Sequence, residues 1–476
     1  MKNSFLEIEN DRFISTFLRK MKALIIAAGR GSRLRPFTED MPKGLIPLLG
    51  LCLLERIILS VKEVGIKDFV IVTGFKGEKI KDFLEKKVYS FGVRSESDYE
   101  YRIEYVDNPA WHRGNGVSVL SAEKKLKNEK KFLLLMSDHV FDSKIITKIL
   151  KHEREEKSES VACLLGVDKN LESIHDLEDA TKVEISENGS IISIGKNLSK
   201  YNAVDCGVFL CTPQIFEALR IKINQGKEDL SSAVALLAEQ GKAKTIDISG
   251  NFWIDIDTFQ ELKIAENKLL NSLTKPTDGV ISRNINRKFS KQITRFLVKT
   301  KITPNQISFI SFLIGIISAI SFGLNHNFLG GLFAQASSIV DGVDGEIARL
   351  KFLKSNYGAY FDAILDRYAD AFIILSMTYS LYISYMQLWV WILGSLALIG
   401  APMSMLCKEK YQAITCKPYL PKYDGFLNLI PSDRDARLFI IMLGGFFNQI
   451  LACLFALAII TNIKPLLRFF IVRTKI

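Results

Sequence analysis

The chain has 476 residues, enough for roughly two to four domains, and 48% of them are hydrophobic. Its formal net charge of +11 needs no nucleic acid to explain it, and no nucleic-acid partner is expected. The seven cysteines are scattered without a C-x-x-C pair, which argues against a disulfide framework and a zinc site and indicates a reducing compartment.

The hydrophobic residues are unevenly distributed along the chain. Residues 1–20 carry acidic side chains and no sustained apolar core, so we interpret them as an N-terminal extension and not as a signal peptide. The functional start is either the first residue or Met21. Residues 21–271 alternate charged and apolar stretches as a soluble domain does. Residues 272–304 are predicted to hold a linker and a basic helix, and residues 305–476 a membrane domain.

The soluble domain opens with an apolar strand that runs into a glycine-containing loop. The strand covers residues 22–28, and Gly29 and Gly31 follow it. Backbone amides in such a loop can face a phosphate group without obstruction by side chains. Arg33 and Lys43, further along, are cations suited to a triphosphate and an attacking phosphate. The dehydrogenase fingerprint has a different glycine spacing, so a nicotinamide dinucleotide is not expected.

The pattern over residues 28–47 resembles the sugar-phosphate nucleotidyltransferase family. The resemblance implies a Rossmann-like α/β domain with a mixed, mostly parallel sheet, and attack by a phosphate monoester on the α-phosphorus of a nucleoside triphosphate. Such a step needs charge neutralisation and alignment more than covalent help. Further strands are predicted at 69–73 and 132–136, with a hairpin inside 183–211. The residues implied at the nucleotide are Gly29, Gly31, Arg33, Lys43, Gly114, Asn115 and Gly116.

The same resemblance implies a metal site at the carboxyl edge of the sheet. Asp138 follows a predicted strand and would supply the first acid, and either Asp255 or Asp257 the second. Mg²⁺, or Mn²⁺ in its place, would bridge the phosphates there. His139 is interpreted as a packing residue. The residues implied at the sugar phosphate are Lys182, Lys196, Asp205 and Gly207. Solvated surface charge is the alternative for the lysines, and a structural turn is the alternative for Asp205.

Between the domains, residues 271–280 are polar and are predicted to be a linker. Residues 281–300 place apolar side chains at helical spacing among lysines and arginines. This pattern is typical of an amphipathic helix at the level of the lipid headgroups. An ordinary helix packed on the soluble domain is the alternative.

Acidic residues stand at regular spacing inside the apolar region, at Asp341, Asp344, Asp362 and Asp366. At the centre of a membrane helix each costs roughly 2.5–3.5 kcal/mol, so they are interpreted as functional. The first two share one helix face and the last two another, and small residues nearby would let the helices approach. Clustered carboxylates suit a divalent cation such as Mg²⁺. A buried polar network that only fixes helix packing is the alternative.

This spacing, continued by Gly345, Ala348, Arg349 and Gly358, resembles the signature of the CDP-alcohol phosphotransferase family. Those integral membrane enzymes move a phospho-alcohol from CDP onto an acceptor hydroxyl. The resemblance implies metal ligands at Asp341, Asp344 and Asp362, a further ligand or general base at Asp366, and contacts with the CDP moiety by Gly345, Ala348 and Arg349. Asp370 continues the face of Asp366 and is interpreted as a helix-pairing residue.

Six membrane spans are predicted, at 305–323, 328–347, 358–381, 387–406, 436–447 and 450–466. The fifth is short for the ~20 residues that a bilayer requires. Lysine and arginine are concentrated in 348–357, 407–435 and the tail after 463. The positive-inside rule therefore places the soluble domain, the acidic motif and the C-terminus in the cytoplasm of a multi-pass protein of the cell (inner) membrane.

Two arginines at the end of the long cytoplasmic segment, Arg434 and Arg437, have two interpretations. Arginine at a membrane entrance often pairs with lipid phosphate. A guanidinium fork is equally suited to the phosphate group of an acceptor substrate. The sequence leaves both open.

The fusion as a whole resembles the family in which an inositol-1-phosphate cytidylyltransferase is joined to a CDP-inositol:inositol-1-phosphate transferase. That resemblance implies CTP and inositol-1-phosphate as substrates, CDP-inositol as intermediate, di-myo-inositol-phosphate phosphate as product, and a homodimer through the membrane domain. The product is the precursor of a protective solute of thermophiles. Two alternatives are a phospholipid synthase, in which the acceptor is a lipid, and a non-catalytic membrane-anchored nucleotide sensor.

Overall fold

The computed structural model describes residues 20–90, 101–156, 160–275, 278–425, 427 and 430–473. The chain divides into two compact units, Met1–Asn267 and Lys268–Ile476. The predicted N-terminal extension lies outside the described residues apart from its last residue.

A mixed β-sheet forms the centre of the first unit. Its strands and those of two small ribbons are β1 (Lys22–Ala27), β2 (Pro47–Leu48), β3 (Leu51–Cys52), β4 (Asp68–Thr73), β5 (Arg102–Asp107), β6 (Phe132–Met136), β7 (His139–Phe141), β8 (Cys163–Asp168), β9 (Lys182–Ile185), β10 (Ile191–Gly195), β11 (Ala203–Cys211), β12 (Ala243–Asp247) and β13 (Trp253–Asp255). The predicted strands at 22–28, 69–73 and 132–136 are confirmed.

The described strand order is β10-β9-β11-β6-β1-β4-β5, with β8 beside β11 and β12 beside β8. β1 pairs in parallel with both β4 and β6, and β4 pairs in parallel with β5. β11 joins β6 in antiparallel orientation. The central strands are apolar throughout because both of their faces are buried. The predicted mixed α/β sheet is confirmed.

Helices cover both faces of this sheet, and apolar clusters lie on each side. They are α1 (Leu53–Glu63), α2 (Gly77–Ser90), α3 (Asn115–Ser121), α4 (Glu123–Leu126), α5 (Lys144–Glu156), α6 (Gln214–Asn224), α7 (Leu230–Glu239) and α8 (Phe259–Ser272). The predicted hairpin is confirmed: β9 and β10 are antiparallel, and the turn between them has Gly189 at φ 79°. Since β1, β4 and β6 are parallel, their carboxyl ends share one edge, where ligands of such sheets bind.

The second unit is helical. A π-helical turn, Ser282–Asn286, leads into α9 (Arg287–Leu297), and the remaining helices are α10 (Pro304–Gly323), α11 (Asn327–Leu350), α12 (Asn356–Tyr385), α13 (Trp389–Thr415), α14 (Arg434–Phe446) and α15 (Ile450–Arg473). The start of α10 is encoded locally. Thr303 and Gln306 form a reciprocal capping box, and Pro304 occupies the first helical turn, where its missing N–H costs nothing.

Three of these helices are long and apolar enough to cross a membrane, namely Pro304–Gly323, Trp389–Thr415 and Ile450–Arg473. The other predicted spans also fall on helices. However, α11 and α12 carry the aspartates of the acidic motif, and α14 has 13 residues. Six crossings therefore stay a prediction.

Close packing of α14 on α11 brings the start of α14 to the acidic motif. A side chain at Gly445 would lie 2.4 Å from the carbonyl oxygen of Asn327, and one at Gly331 would lie 2.8 Å from that of Met442. Only glycine permits backbones this close. The two helices are thereby fixed side by side.

The predicted basic helix at 281–300 is confirmed as a helix, but its buried side is polar. Asn286, Ser290 and Thr294 are buried, whereas Phe289 and Phe296 are exposed. The buried polar side packs on α11, where Asn286 donates a hydrogen bond to the hydroxyl of Ser338 at 2.9 Å. The exposed aromatic rings are compatible with a place among lipid headgroups, which stays a prediction.

Candidate active sites

The first group of candidate metal ligands lies where the central strands of the first unit end. β6 ends at Met136, and Asp138 and His139 follow. The β7–β13 ribbon pairs His139 with Asp255, which brings a second acid alongside. Among the described residues, ligand atoms of Asp138, His139 and Asp255 lie within 4.8 Å of one another. This group could hold a metal ion.

The structure separates the two acids that the sequence left as alternatives. Asp255 belongs to the ligand group, and its Oδ1 atom is buried without a hydrogen-bond partner in the described part of the chain. Such an orphaned oxygen, beside a second carboxylate, suits a hard divalent cation. Asp257 instead accepts hydrogen bonds from Lys43 at 2.5 Å and Arg33 at 2.6 Å.

Lys43 is the central cation of the site. Its side chain is 7% exposed, and its Nζ lies 2.7 Å from Asp138 and 2.5 Å from Asp257. Burial opposes its charge, but the carboxylates of Asp138, Asp255 and Asp257 outweigh burial and raise the pKa of Lys43. It therefore stays charged, as a contact to phosphate requires.

His139 has a more specific position than the predicted packing role. Its ring stacks on Trp253, and its Nδ1 lies 2.9 Å from Asp138 and 3.8 Å from Asp255. Burial lowers the pKa of His139, but Asp255 and Asp138 outweigh that effect and raise it to about 9. A side chain at Gly207, whose φ is 74°, would come within 2.5 Å of the His139 ring. Gly207 thus makes room for the imidazole.

The glycine-containing loop is shaped around Lys43. No atom lies within 4 Å of a Cβ built at Gly29, whereas one at Gly31 would meet Lys43 Cβ at 2.8 Å. Gly31 also has φ 69°, and its carbonyl oxygen accepts a hydrogen bond from Thr38 at 2.7 Å. Gly29 consequently leaves open space for a ligand, and Gly31 allows the loop to close on the lysine.

The predicted base and ribose loop, Gly114 to Gly116, packs against the segment before α7. A side chain at Gly114 would lie 2.2 Å from the carbonyl oxygen of Glu228, and the N–H of Gly116 donates to that oxygen at 2.9 Å. The Oδ1 of Asn115 accepts a hydrogen bond from the N–H of Leu230 at 2.8 Å. Backbone packing thus accounts for both glycines, and the nucleotide contacts stay a prediction.

The residues predicted to bind the sugar phosphate have different environments in the structure. Lys196 lies 2.7 Å from Asp179, which in turn lies 2.8 Å from Arg33, so Lys196 is linked to the site. Lys182 donates to backbone carbonyl oxygens, those of Glu178 and Lys196. Asp205 accepts a hydrogen bond at 2.7 Å from the N–H of Gly207, the geometry of a turn.

The second group of candidate metal ligands lies in the helical unit. Ligand atoms of Asp341 and Asp344 on α11 and of Asp362 on α12 lie within 4.8 Å of one another. The Oδ1 atoms of Asp341 and Asp362 are buried and lack a hydrogen-bond partner among the described residues. Ser308 donates to Asp344. Three carboxylates with two orphaned oxygens fit a divalent cation of the Mg²⁺ type.

Asp366 lies beside this group, paired with Arg434. The guanidinium of Arg434 approaches Asp366 at 2.8 Å, Asp341 at 3.0 Å and Asp370 at 3.2 Å. Arg437 lies 2.5 Å from Asp370 and also donates to the carbonyl oxygen of Ser432. Both arginine side chains are paired with carboxylates, and the two interpretations of them, lipid phosphate and acceptor phosphate, stay predictions. Asp370 pairs helices, as its position on α12 indicated.

Two further motif residues, Gly345 and Ala348, lie near Arg349 on α11. Gly345 donates its N–H to Asp344, and a side chain there would come within 3.1 Å of the Arg349 guanidinium. Arg349 donates to the carbonyl oxygen of Leu273 at 3.4 Å, while its buried Nε lacks a hydrogen-bond partner in the described residues. Ala348 is one residue before this arginine on α11. The contact between Arg349 and the CDP moiety stays a prediction.

Glu346 is a buried residue that the sequence reasoning missed. It is 0% exposed and accepts hydrogen bonds from Arg287 at 2.8 Å, Ser290 at 2.7 Å and Thr294 at 2.6 Å. It therefore ties α9 to α11, the helix that carries Asp341 and Asp344. Two signals were available in the sequence. Glu346 is an acidic residue at a motif position that the family signature does not specify, and Ser290 and Thr294 stand four residues apart, on one face of a helix.

Comparison with known proteins identifies a family for each unit. Residues 22–272 match the Nucleotidyl transferase family, and residues 301–431 match the CDP-alcohol phosphatidyltransferase family. The chain thus combines two transferase units, and it is an enzyme. It is 34% identical over 456 residues to the "Bifunctional IPC transferase and DIPP synthase" of Aquifex aeolicus, covering 95% of this chain and 98% of that protein. The chain belongs to the family of bifunctional IPC transferases and DIPP synthases.

A second full-length relative has the same description. The protein of the same description from Thermococcus kodakarensis is 32% identical over 460 residues, 96% of this chain and 98% of that protein. A solved structure of the inositol-1-phosphate CTP transferase from T. maritima is 26% identical, with TM-score 0.44, and covers 52% of this chain and 94% of that one. The families imply nucleoside triphosphate and sugar-phosphate substrates, generally with divalent metals, and the three apolar helices indicate membrane association.

Proposed function

We propose that this protein catalyses two consecutive reactions. In the first, CTP and inositol-1-phosphate give CDP-inositol and pyrophosphate. In the second, phosphoinositol passes from CDP-inositol to another inositol-1-phosphate, giving di-myo-inositol-phosphate phosphate and CMP. The observation that carries the proposal is that one chain holds two separate carboxylate groups able to bind a cation, one in each transferase unit.

In the first reaction, a phosphate oxygen of inositol-1-phosphate attacks the α-phosphorus of CTP and the bond to pyrophosphate breaks. A phosphate monoester is mostly a dianion near neutral pH, so the nucleophile needs no base. Lys43 and Arg33 would neutralise and align the phosphates. Asp138 and Asp255, with His139 beside them, would hold Mg²⁺ or Mn²⁺. Such an ion, when bound, neutralises charge that develops on the phosphate oxygens.

In the second reaction, a hydroxyl of the acceptor attacks the phosphorus that carries inositol, and CMP leaves. Asp366 would accept the proton of that hydroxyl, and the ion pair with Arg434 would orient it. Asp341, Asp344 and Asp362 would hold the cation that shields the phosphate charges. Arg349, with its orphaned Nε, would contact the CDP phosphates.

The choice of CTP follows from the second unit. Its family takes CDP donors, so the first unit must supply a cytidine nucleotide. CTP is available in the cytoplasm, where we place the nucleotidyltransferase unit and the C-terminus. We further propose six spans in the cell (inner) membrane and a homodimer formed through the membrane unit. A phosphorylated, water-soluble acceptor needs cations near the site, and the position of Arg434 and Arg437 near Asp366 therefore supports such an acceptor over a lipid.

Purified full-length protein, incubated with CTP, Mg²⁺ and a panel of phospho-alcohols, tests the proposal through product identification by mass. We expect pyrophosphate and CDP-inositol with inositol-1-phosphate, followed by the phosphorylated di-inositol product and CMP. A product that contains the lipid alcohol of added vesicles would favour the phospholipid-synthase alternative. Binding of CTP without any pyrophosphate release would favour the nucleotide sensor.

A further inference from the structure

A continuous chain of ion pairs crosses the first site. From the end of β10 to the ribbon, alternating cations and anions are joined at 2.5–2.8 Å: Lys196, Asp179, Arg33, Asp257, Lys43 and Asp138. Asp257 lies at its middle. One carboxylate oxygen accepts from Arg33 and the other from Lys43. The two cations that a triphosphate needs are therefore both occupied by one carboxylate.

The backbone of Asp257 is held independently of its side chain. The N–H groups of Asp257 and Thr258 both donate to Glu261 Oε2, at 2.6 Å and 2.7 Å, and Glu261 is 6% exposed. The side chain of Asp257 is 22% exposed, so solvent reaches it. A rotation about its side-chain bonds could free Arg33 and Lys43 while the start of α8 stays in place.

We propose that Asp257 is an affinity-determining residue for the nucleotide, acting as a built-in counter-anion. In the absence of nucleotide its carboxylate holds Arg33 and Lys43 in position, and the triphosphate displaces it on binding. This inference rests on the proposed function, since it takes the two cations as the phosphate-binding groups. Displacement reduces the net gain from each charged contact, so the affinity for CTP is lower than the two cations alone would give.

The position of Asp257 distinguishes this role from that of a second metal ligand. The ligand group contains Asp255 and not Asp257, and both oxygens of Asp257 already accept from cations. Loss of a metal ligand would weaken CTP binding in the presence of Mg²⁺ and raise the Mg²⁺ requirement. Loss of a competing anion has the opposite sign, since it leaves two cations free for the triphosphate.

Calorimetric titration of full-length protein with CTP, in EDTA and in Mg²⁺, tests the inference on Asp257→Asn. We expect the Kd for CTP to fall about tenfold in both buffers, equivalent to ~1.4 kcal/mol. Asp179→Asn removes the ion pairs with Arg33 and Lys196 but leaves Lys43 paired, so it should produce a smaller decrease. Asp257→Glu retains the charge and should bind CTP as weakly as the wild type. Asp247→Asn, an acid outside the chain of ion pairs, is the matched control and should leave the Kd unchanged.

A Kd for Asp257→Asn that stays the same or rises would overturn the inference, and a rise confined to Mg²⁺ buffer would identify a metal ligand instead. The KM for CTP, measured by pyrophosphate release, should fall with the Kd. Failure of the proposed function has a different signature. Wild-type protein would then release no pyrophosphate from CTP and inositol-1-phosphate, whatever the variants bind.

Discussion

The guanidinium of Arg434 lies 2.8 Å from Asp366 and thereby links the start of α14 to the carboxylate proposed as general base. The same guanidinium lies 3.0 Å from Asp341, one of the candidate metal ligands. A single arginine thus contacts two of the four acids that the proposed second reaction uses. The Nε of Arg434 also lies 3.2 Å from Asp370, which in turn pairs with Arg437.

Replacement of Arg434 by glutamine should raise the KM for inositol-1-phosphate more than the KM for CDP-inositol, because a guanidinium fork suits the acceptor's phosphate group. Initial rates of CMP release from supplied CDP-inositol measure both constants. Arg367→Gln, on the same helix as Asp366 and 3.9 Å from Asp370, is the control and should change neither. An unchanged acceptor KM in Arg434→Gln with a reduced kcat would mean that the arginine only orients Asp366.

Glu346→Gln should loosen the basic helix from the acidic-motif helix. The substitution leaves Arg287 without one charged partner and presents an amide to the hydroxyl donors of Ser290 and Thr294. Arg287 keeps its ion pair with Asp278 at 2.9 Å, so the cost should be smaller than the about 3–5 kcal/mol of a buried charge left unpaired. Thermal unfolding in detergent should therefore shift to lower temperature, and trypsin should cleave within α9 more rapidly. Exposed Glu409→Gln is the control, and an equal shift in both variants would refute the anchoring role.

Gly207→Ala should impair CDP-inositol synthesis through His139. The added methyl group would collide with the imidazole, and the positive φ adds backbone strain of ~1 kcal/mol or more. Gly226→Ala separates the two effects, because Gly226 also has positive φ, at 80°, but has no atom within 4 Å of the new Cβ. We expect a larger loss of pyrophosphate release in Gly207→Ala, with CMP release from supplied CDP-inositol retained. Equal losses in both variants would contradict the contact with His139.

Arg468 and Asp424 should stabilise the end of the helical unit as a pair. Arg468 is 1% exposed and donates two hydrogen bonds to Asp424, at 2.8 Å and 2.6 Å. Arg468→Met would leave the buried carboxylate of Asp424 with a hydrogen bond from Tyr419 and with Lys464 at 3.9 Å, but without its closest cation. The loss should reach at most about 3–5 kcal/mol. The double variant with Asp424→Leu should recover part of that loss. Additive losses in a double-mutant cycle, measured by thermal unfolding, would show that the pair contributes nothing jointly.

Much of this architecture was predictable from local patterns. Apolar runs gave β1, β4 and β6 because strands buried on both faces leave a strong signal. The spacing from Asp341 to Asp366 gave the acidic group, because helical geometry fixes which positions share a face. Membrane spans were harder, since α11 and α12 carry the acids and α14 is short.

Contacts between distant positions were not predictable. The choice between Asp255 and Asp257 depends on the pairing of β13 with β7, which no spacing encodes. The partners of Arg434 lie on two other helices. The sequence showed only that an arginine stands near the predicted start of a membrane span. The buried polar side of α9 was not predicted, because an amphipathic helix is normally expected to bury its apolar side.

The most direct measurement follows both products in parallel with Asp138→Asn and Asp366→Asn, starting from CTP, Mg²⁺ and inositol-1-phosphate. Asp366→Asn should accumulate CDP-inositol, whereas Asp138→Asn should form none yet still release CMP when CDP-inositol is supplied. If Asp366→Asn makes the final product at the wild-type rate, the assignment of one reaction to each carboxylate group is wrong.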